Sequence, residues 1–209
     1  SHIYDIWGRT ADTGSHTGNG VFFSGVDGLM VEWNKIHNTG VNSVTTSGPV
    51  ALFAWRTRDT YFQYNEVYEA HRTSGEDGGA IDFGELVTDS YIQYNYTHDN
   101  DGYGILVDLN YDDGAAGENV TVRYNVSEND ARKRPYGAIF INSAFEGLKV
   151  YGNTIYMTPP SGHSGKSSGI HMGYHASAPT DVQVYNNIFL INDSEATGDI
   201  YAVNMQKTG

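Results

Sequence analysis

Short runs of alternating apolar and polar residues recur along the chain about every 30 residues. In six segments an apolar residue precedes an asparagine by three positions: Val31 to Asn34, Phe62 to Asn65, Ile92 to Asn95, Val122 to Asn125, Val150 to Asn153 and Val184 to Asn187. A turn-forming residue lies six positions before each asparagine, at Gly28, Asp59, Asp89, Asn119, Gly147 and Asp181. Short strands in a repeat of this length, without an amphipathic helix, predict an all-β parallel solenoid.

The repeated asparagines are explained by the way such a solenoid stacks. Parallel strands of successive coils lie about 4.8 Å apart, so equivalent residues form rows along the long axis. An asparagine in the same turn of every coil can bond the next asparagine and satisfy backbone groups that a buried bend would leave unpaired. We therefore predict a structural ladder formed by Asn34, Asn65, Asn95, Asn125, Asn153 and Asn187. The aromatic residues just before four of them are predicted to stack as part of the architecture: Trp33, Tyr64, Tyr94 and Tyr124.

Stretches such as residues 92–104 resemble the repeats of secreted bacterial and fungal right-handed parallel β-helix proteins of the pectate-lyase-like group. That group includes polysaccharide lyases and glycoside hydrolases, and the resemblance covers essentially the whole chain. It implies one right-handed parallel β-helix domain over residues 1–209, with about six coils, an extracellular or cell-surface location, and a polysaccharide or oligosaccharide as partner. A capping helix, general in such proteins, is not readable before Val21, so we expect a fragment of a longer chain. An uncapped first coil would favour end-to-end self-association.

The amino-acid composition argues against several kinds of partner and excludes cysteine chemistry. The chain has 25 acidic and 12 basic residues and a formal charge of −13, which argues against a nucleic-acid partner. Cysteine is absent, so disulfides, thiolate metal sites and cysteine nucleophiles are excluded. No apolar run approaches the roughly 18 residues of a membrane span, so no membrane partner is expected.

Strand alternation predicts which residues face solvent on one sheet. Aligning the strands on Leu52, Ile81, Ile105, Ile139 and Ile170 gives one outward row of Phe53, Asp82, Leu106, Phe140 and His171. The next outward row is Trp55, Gly84, Asp108, Asn142 and Gly173. A third row beside them consists of residues too small to block a ligand: Ala51, Ala80, Gly104, Ala138 and Gly169. Solvent-exposed aromatic rings can stack on the apolar faces of sugars, and carboxylate and amide groups can form hydrogen bonds with sugar hydroxyls. The predicted substrate-binding residues are Phe53, Trp55, Tyr103, Lys133, Arg134, Tyr136, Phe140, Asn142 and His171.

Two outward carboxylates are the predicted catalytic pair. Asp82 and Asp108 fall on adjacent coils with a two-residue offset, which places their Cα atoms about 8 Å apart. Inverting glycosidases hold a water between carboxyl groups separated by about 6.5 to 9.5 Å, whereas a retaining pair is nearer 5 Å. The spacing favours an inverting glycoside hydrolase.

Two other functions fit the sequence. Glu76, Asp77 and Asp101, together with Asp108, could supply the oxygen ligands of a Ca²⁺ ion. A metal beside the basic run Arg132–Arg134 would suit a calcium-dependent lyase acting on uronic-acid polymers. The third alternative is a non-catalytic solenoid that binds glycans or assembles into a surface or filament structure.

Overall fold

The computed structural model describes residues 1–10, 16–44, 47–73, 77–109, 115–133, 136–143, 145–158, 167–174, 179–192 and 198–207. The strands of this part are β1 (His2–Ile6), β2 (Val21–Ser24), β3 (Asp27–Glu32), β4 (Lys35–Thr39), β5 (Val50–Trp55), β6 (Arg58–Gln63), β7 (Glu66–Ala70), β8 (Gly79–Phe83), β9 (Tyr91–Gln93), β10 (Tyr96–His98), β11 (Ile105–Asp108), β12 (Glu118–Arg123), β13 (Val126–Glu128), β14 (Ile139–Asn142), β15 (Glu146–Tyr151), β16 (Thr154–Met157), β17 (Ser167–Tyr174), β18 (Thr180–Tyr185), β19 (Ile188–Ile191) and β20 (Ile200–Lys207).

These strands form three parallel sheets, and the chain visits each sheet once per coil. Sheet 1 has the order β1-β4-β7-β10-β13-β16-β19, sheet 2 the order β2-β5-β8-β11-β14-β17-β20, and sheet 3 the order β3-β6-β9-β12-β15-β18. The predicted all-β parallel solenoid is confirmed, while the right-handed sense of the coil stays a prediction. In the described part of the chain, no helical segment combines the length and apolar character needed to cross a bilayer.

Two turns in each coil need a backbone conformation with positive φ. The turn-forming residues six positions before the asparagines all adopt it, with φ between 47° and 75°. The residue directly before each asparagine does so as well, with φ between 53° and 67°. Gly, Asn and Asp tolerate this conformation best, which explains their use at the first turn.

The predicted asparagine ladder is present along the whole repeat. The backbone N–H and the side-chain Nδ2 of each asparagine from Asn34 to Asn153 both donate to Oδ1 of the next one, at 2.9–3.1 Å. From Asn65 onward, Nδ2 also donates to a carbonyl of the preceding coil, as from Asn95 to Phe62 at 2.8 Å. Each asparagine from Asn65 to Asn153 thereby ties three coils together.

The aromatic residues before the ladder stack as predicted. Trp33, Tyr64, Tyr94 and Tyr124 have neighbouring ring centroids 4.6–5.2 Å apart and interplanar angles of 8–23°. The four residues remain exposed, from 39% at Tyr64 to 68% at Trp33, and each ring stacks on its neighbour in the next coil. This arrangement supports an architectural role for the row.

The core consists of apolar rows that run along the axis. Strand register pairs Leu52 with Ile81, Ile81 with Ile105, Ile105 with Ile139, and Ile139 with Ile170, as the alignment predicts. All five of these side chains are buried. Their burial leaves the intervening residues of sheet 2 to form the outer face.

The prediction that a row of small residues lies on that outer face is wrong. Ala51, Ala80 and Ala138 belong to the buried core. The strand alternation is interrupted there, because the N–H groups of both Gly104 and Ile105 donate to the carbonyl of Ala138, each at 2.9 Å. A Cβ on Gly104 would collide with Asp130 and Thr97, so that position faces the coil interior.

A second buried polar cluster, which the repeat analysis did not identify, surrounds Asp130. Its carboxylate accepts hydrogen bonds from the hydroxyls of Thr97 and Ser127, both at 2.6 Å, and from the Asn100 side chain at 2.6 Å. Asn100 in turn accepts from the backbone N–H of Ala70, which extends the contacts to another coil. Burial raises the pKa of Asp130 from 3.8 to about 6, despite these donors.

We predict that Asn95→Leu lowers the free energy of unfolding by about 1 to 3 kcal/mol or prevents folding, because it leaves buried donors and acceptors on adjacent coils unpaired. Thermal and denaturant unfolding would measure the change. Asn42→Leu, outside the ladder, is the matched control, and an equally small effect of both substitutions would contradict a stabilising ladder.

Asp130 should also make stability depend on pH. Its pKa is higher in the folded protein than in the unfolded chain, so its contribution to stability is complete below pH 4 and declines as pH rises to about 6. The difference between 3.8 and about 6 corresponds to about 3 kcal/mol at 1.4 kcal/mol for each pH unit. Asp130→Asn, which keeps an acceptor for Asn100, should therefore unfold at higher denaturant concentration at pH 7.

Denaturant titrations of wild type and Asp130→Asn from pH 4 to pH 7 would test this expectation. The exposed Asp181→Asn is the control for the same chemical change. Parallel pH profiles for wild type and Asp130→Asn would show that the Asp130 carboxylate does not titrate in this range.

Candidate active site

An open groove of about 820 Å³ lies along the outer face of sheet 2. It brings together eight of the predicted catalytic and substrate-binding residues: Phe53, Trp55, Asp82, Asp108, Tyr136, Phe140, Asn142 and His171. They come from β5, β8, β11, β14 and β17 and from the segment before β14, so the groove crosses successive coils along the axis. The predicted outward rows thus form a continuous site.

One end of the groove is an aromatic wall built around β2 and β5. Phe53 stacks on Phe22 at 5.0 Å and on His16 at 5.6 Å between ring centroids. Trp55 is held by a hydrogen bond from Nε1 to Glu85 Oε2, at 2.8 Å, and Arg56 lies 4.6 Å from the centre of its ring. These contacts fix both rings before any ligand arrives.

A second aromatic wall lies at the other end, on β14 and β17. Tyr136 and Phe140 stack with centroids 4.9 Å apart and an interplanar angle of 10°. Phe140 also contacts His171 at 5.2 Å. A glycine lies beside each wall: a Cβ on Gly84 would approach Phe53 to 2.7 Å, and one on Gly173 would approach Phe140 to 3.1 Å. The two glycines therefore give the rings room to lie along the sheet.

Asp82 lies between the two walls and is more buried than the alternation pattern predicts, with only 6% of its surface exposed. Strand register places Phe53 and Leu106 on either side of it. Burial raises its pKa well above the usual 3.8, and the nearby negative charges of Asp77, Asp108 and Glu85 raise it further. Within the described part of the chain, its Oδ1 makes no hydrogen bond. These surroundings favour the protonated carboxylic acid.

Asp108, on the next strand, has different surroundings. Its Oδ2 accepts a hydrogen bond from Asn142 Nδ2 at 3.1 Å, and its Oδ1 accepts one from the Ser143 hydroxyl. Both oxygens of Asp108 are therefore held by hydrogen-bond donors. The two neighbouring aspartates thus differ in burial and in hydrogen bonding.

The register confirms the predicted offset of this pair. Leu106 pairs with Asp82, so Asp108 lies one strand over and two residues further along. The corresponding Cα separation is about 8 Å. Carboxyl groups of inverting glycosidases lie about 6.5 to 9.5 Å apart, and this Cα offset is compatible with such a separation.

Tyr103 does not line the groove, contrary to the prediction. Its side chain is fully buried and packs with Val50 and Leu106 beneath Phe53 and Phe140. Its nearby hydroxyl lowers the pKa of Asp82, although this effect is smaller than that of burial. Tyr103 therefore supports the groove from below, because the loop before β11 folds against the sheet.

The predicted cationic and metal-binding residues are not grouped as expected. Lys133 Nζ forms an ion pair with Asp101 Oδ2 at 2.7 Å, and the same oxygen accepts from the backbone N–H of Arg72. Neither Lys133 nor Asp101 lines the groove, whereas Asp77 does. Arg134 and Glu76 lie outside the described residues. Among the described residues, no group of three or more His, Cys, Asp or Glu side chains is arranged to hold a metal ion, so the proposed Ca²⁺ ligands are not brought together there.

Sequence reasoning missed several groove residues. His16, Asn19 and Phe22 extend the first wall, and Glu85 orients Trp55. Phe22 could have been found, because it pairs in register with Phe53 one coil further on. Glu85 and His16 lie outside the aligned strands, so no repeat position identifies them.

Comparison with known proteins gives one informative similarity. The chain is 33% identical over 115 residues, 53% of its length, to a lacto-N-biosidase of Bifidobacterium longum subsp. longum. The chain spans only 6% of that relative's length. No protein-family model matches the chain, and no solved structure matches it. The similarity links this β-solenoid to a glycosidase.

We predict that Trp55→Ala weakens binding of a neutral oligosaccharide by about 1 kcal/mol or more and leaves the fold intact, because an outward ring contributes contact area mainly to the ligand. Calorimetric titration with cellotetraose, β-1,4-galactotetraose and an N-acetyllactosamine tetrasaccharide would measure this. Tyr61→Ala, which removes a stacked ring on sheet 3, is the matched control. Lower stability with unchanged affinity would assign Trp55 to packing alone.

Proposed function

We propose that this protein is a glycoside hydrolase that binds an oligosaccharide or polysaccharide chain along the groove of sheet 2. The observation that carries the proposal is the Asp82 and Asp108 pair, two aspartates with contrasting surroundings between two aromatic walls. The name of the similar Bifidobacterium protein supports the same class of reaction.

Asp82 is the general acid in this proposal. Its protonated carboxyl donates a proton to the glycosidic oxygen as the bond from that oxygen to the anomeric carbon breaks. A buried position and then three nearby carboxylates raise the pKa of Asp82 well above its usual value, which favours the protonated form. The reaction leaves Asp82 as a carboxylate, which regains a proton from solvent before the next turnover.

Asp108 is the general base. It removes a proton from a water molecule, whose oxygen forms the new bond to the anomeric carbon from the face opposite the leaving group. Asn142 and Ser143 hold the carboxylate in position for this step. The Cα spacing of about 8 Å favours this inverting course over direct attack by the carboxylate, which needs a carboxyl separation nearer 5 Å.

The aromatic walls place sugars on both sides of the cleaved bond. Phe53 and Phe140 lie in one row, three strand spacings or about 14 Å apart, with Asp82 between them. Rings that are already fixed offer stacking surfaces at little entropic cost. The substrate would therefore run parallel to the solenoid axis.

We also propose an extracellular or cell-surface location, because large glycans are found there. End-to-end self-association and calcium binding stay predictions of the sequence.

A uronate lyase would need a metal or cation to neutralise the substrate carboxylate, and in the described residues Lys133 is instead paired with Asp101.

Substitution of either aspartate should abolish turnover. We expect Asp82→Asn and Asp108→Asn each to lower kcat at least about 100-fold, because each removes one proton transfer. Activity would be screened on pectin, xylan, alginate and a nitrophenyl lacto-N-bioside, and the product anomer would be determined by NMR. Asp181→Asn, on sheet 3 and not among the residues that line the groove, is the control.

The same screen separates the alternatives. A hydrolase gives saturated products and is insensitive to EDTA. A lyase gives unsaturated uronates that absorb in the near ultraviolet, and EDTA stops it while Ca²⁺ restores it. Retention of anomeric configuration would refute the inverting assignment, and activity that survives both substitutions would remove the pair from the catalytic site.

The pH dependence provides a further test. Because the pKa of Asp82 is raised, we expect kcat to fall on the alkaline side as this acid loses its proton. Glu85→Gln and Asp77→Asn should move that alkaline limb to lower pH, since each removes a negative charge that stabilises the protonated form. An alkaline limb that does not move in either variant would argue against Asp82 as the acid.

A further inference from the structure

Tyr103 carries a buried hydroxyl that the hydrolytic mechanism above does not use. Its side chain is fully buried beneath the groove, in a cluster with Val50 and Leu106. The backbone of Tyr103 is fixed against the strand of Asp82, because the Ala80 N–H donates to the Tyr103 carbonyl at 2.9 Å. A buried tyrosine hydroxyl normally has a hydrogen-bond partner, since an unpaired buried donor is costly.

The Tyr103 ring lies directly against β8, the strand that carries Asp82. A Cβ on Gly79, three residues before Asp82, would come within 2.4 Å of three Tyr103 ring atoms, so only a glycine leaves space for the ring. Phe53 and Leu106, which pair with Asp82 in register, pack in the same cluster as the ring. Both of them also line the groove. Tyr103 is thereby placed beside the proposed acid on the groove side of sheet 2.

Two buried polar atoms lack a hydrogen bond at this place. In the described part of the chain, this holds for the Tyr103 hydroxyl oxygen and for Asp82 Oδ1. The hydroxyl can donate and the carboxyl oxygen can accept, so each group supplies what the other lacks. A hydrogen bond between them satisfies two buried polar groups at once.

The pKa shifts of both groups agree with this pairing. Burial is the main cause of the raised pKa of Asp82, and the Tyr103 hydroxyl acts in the opposite direction. A donor lowers the pKa of a carboxyl group by stabilising its charged form. Burial, followed by the negative charges of Asp77 and Asp82, raises the pKa of Tyr103 well above its usual value. The Tyr103 hydroxyl therefore keeps its proton and stays a donor.

We propose that Tyr103 is a positioning residue, which donates a hydrogen bond to Asp82 Oδ1 and leaves Oδ2 as the oxygen that carries the acidic proton into the groove. A fixed donor on one carboxyl oxygen directs the proton to the other. When Oδ2 gives its proton to the glycosidic oxygen, the same hydrogen bond stabilises the new carboxylate, and Tyr103 keeps its own proton. This inference rests on the proposed hydrolase function, in which Asp82 is the general acid.

Tyr103→Phe tests the hydrogen bond directly, because phenylalanine keeps the packed ring and removes only the hydroxyl. NMR of protein labelled with ¹³C at the aspartate carboxyl carbons would follow the titration of Asp82 from pH 4 to pH 10, with its signal assigned from Asp82→Asn. We expect a higher pKa of Asp82 in Tyr103→Phe, since its carboxylate loses a donor. The variant retains the other described titratable groups near Asp82 or lining the groove, which are Asp77, Glu85, Asp108, His16, Tyr136 and His171.

Turnover provides a second readout. Nitrophenyl lacto-N-bioside, pectin, xylan and alginate would be tested from pH 4 to pH 10. We expect Tyr103→Phe to lower kcat about three- to tenfold, as for the loss of one hydrogen bond, with little change in KM. The alkaline limb of kcat should move to higher pH, opposite to the shift expected for Glu85→Gln and Asp77→Asn, because a weaker acid keeps its proton longer. A purely structural role would lower stability without moving this limb.

Tyr96→Phe is the matched control. The Tyr96 hydroxyl also donates to a carboxylate, that of Glu128, but the pair lies on sheet 1 and does not line the groove. This variant should leave the pKa of Asp82, kcat and the alkaline limb unchanged.

A measurement on the unsubstituted tyrosine covers the case in which Tyr103→Phe does not fold. In protein labelled with ¹³C at tyrosine Cζ, the Tyr103 signal should shift over the pH range in which Asp82 titrates. This shift should be absent in Asp82→Asn. A Tyr103 signal that is the same in both proteins would overturn the inference.

The remaining outcomes separate the inference from the hydrolase proposal. An unchanged pKa of Asp82 in Tyr103→Phe would overturn the inference. Turnover with the same kcat and the same alkaline limb in wild type and Tyr103→Phe would also overturn it and leave the hydrolase standing. A raised pKa of Asp82 in Tyr103→Phe, with no turnover of any substrate by the wild type, would support the hydrogen bond and count against the hydrolase.

Discussion

The hydrogen bonds of the asparagine ladder are the constraint on which the rest of this protein depends. Each inner asparagine, from Asn65 to Asn153, contacts the coil before and the coil after its own through side-chain and backbone groups, as Asn95 does, so successive coils share one register. A shift of one residue would turn every strand side chain to the opposite face. It would also leave the ladder groups unpaired in a buried bend. The ladder therefore stabilises the solenoid and specifies which residues face the groove.

The candidate site is a direct consequence of that register. Residues that are about 30 positions apart in sequence become neighbours, so Phe53, Asp82 and Phe140 form one row although each lies in a different coil. No long loop is needed to bring the proposed acid, the proposed base and the aromatic walls together. A parallel solenoid can in this way build an extended groove that suits a linear chain of sugars, with the proposed catalytic pair between its two ends.

Two buried aspartates show how the same fold treats a carboxyl group differently. Asp130 has four hydrogen-bond contacts from Thr97, Ser127 and Asn100, and its pKa rises only to about 6. Asp82 is buried too, but it lies near other carboxylates and has an oxygen without a hydrogen bond in the described structure. Burial, and then those negative charges, raise its pKa well above the usual value. The first arrangement holds coils together. The second favours the protonated carboxyl at the groove, which the proposed general acid requires.

The sequence by itself determined the solenoid, the ladder, the strand register and the outward rows with Asp82, Asp108, Phe53 and Phe140. These follow from a repeat, because stacking coils converts sequence spacing into a position along one axis. Tertiary structure alone decided the burial of Asp82 and Tyr103, the inward position of Ala80, and the pairing of Lys133 with Asp101. It also decided that Glu85 and His16 join the groove. Such features depend on how non-repeating segments fold over the sheet, and on local breaks in strand alternation such as the one at Gly104, which no periodic pattern encodes.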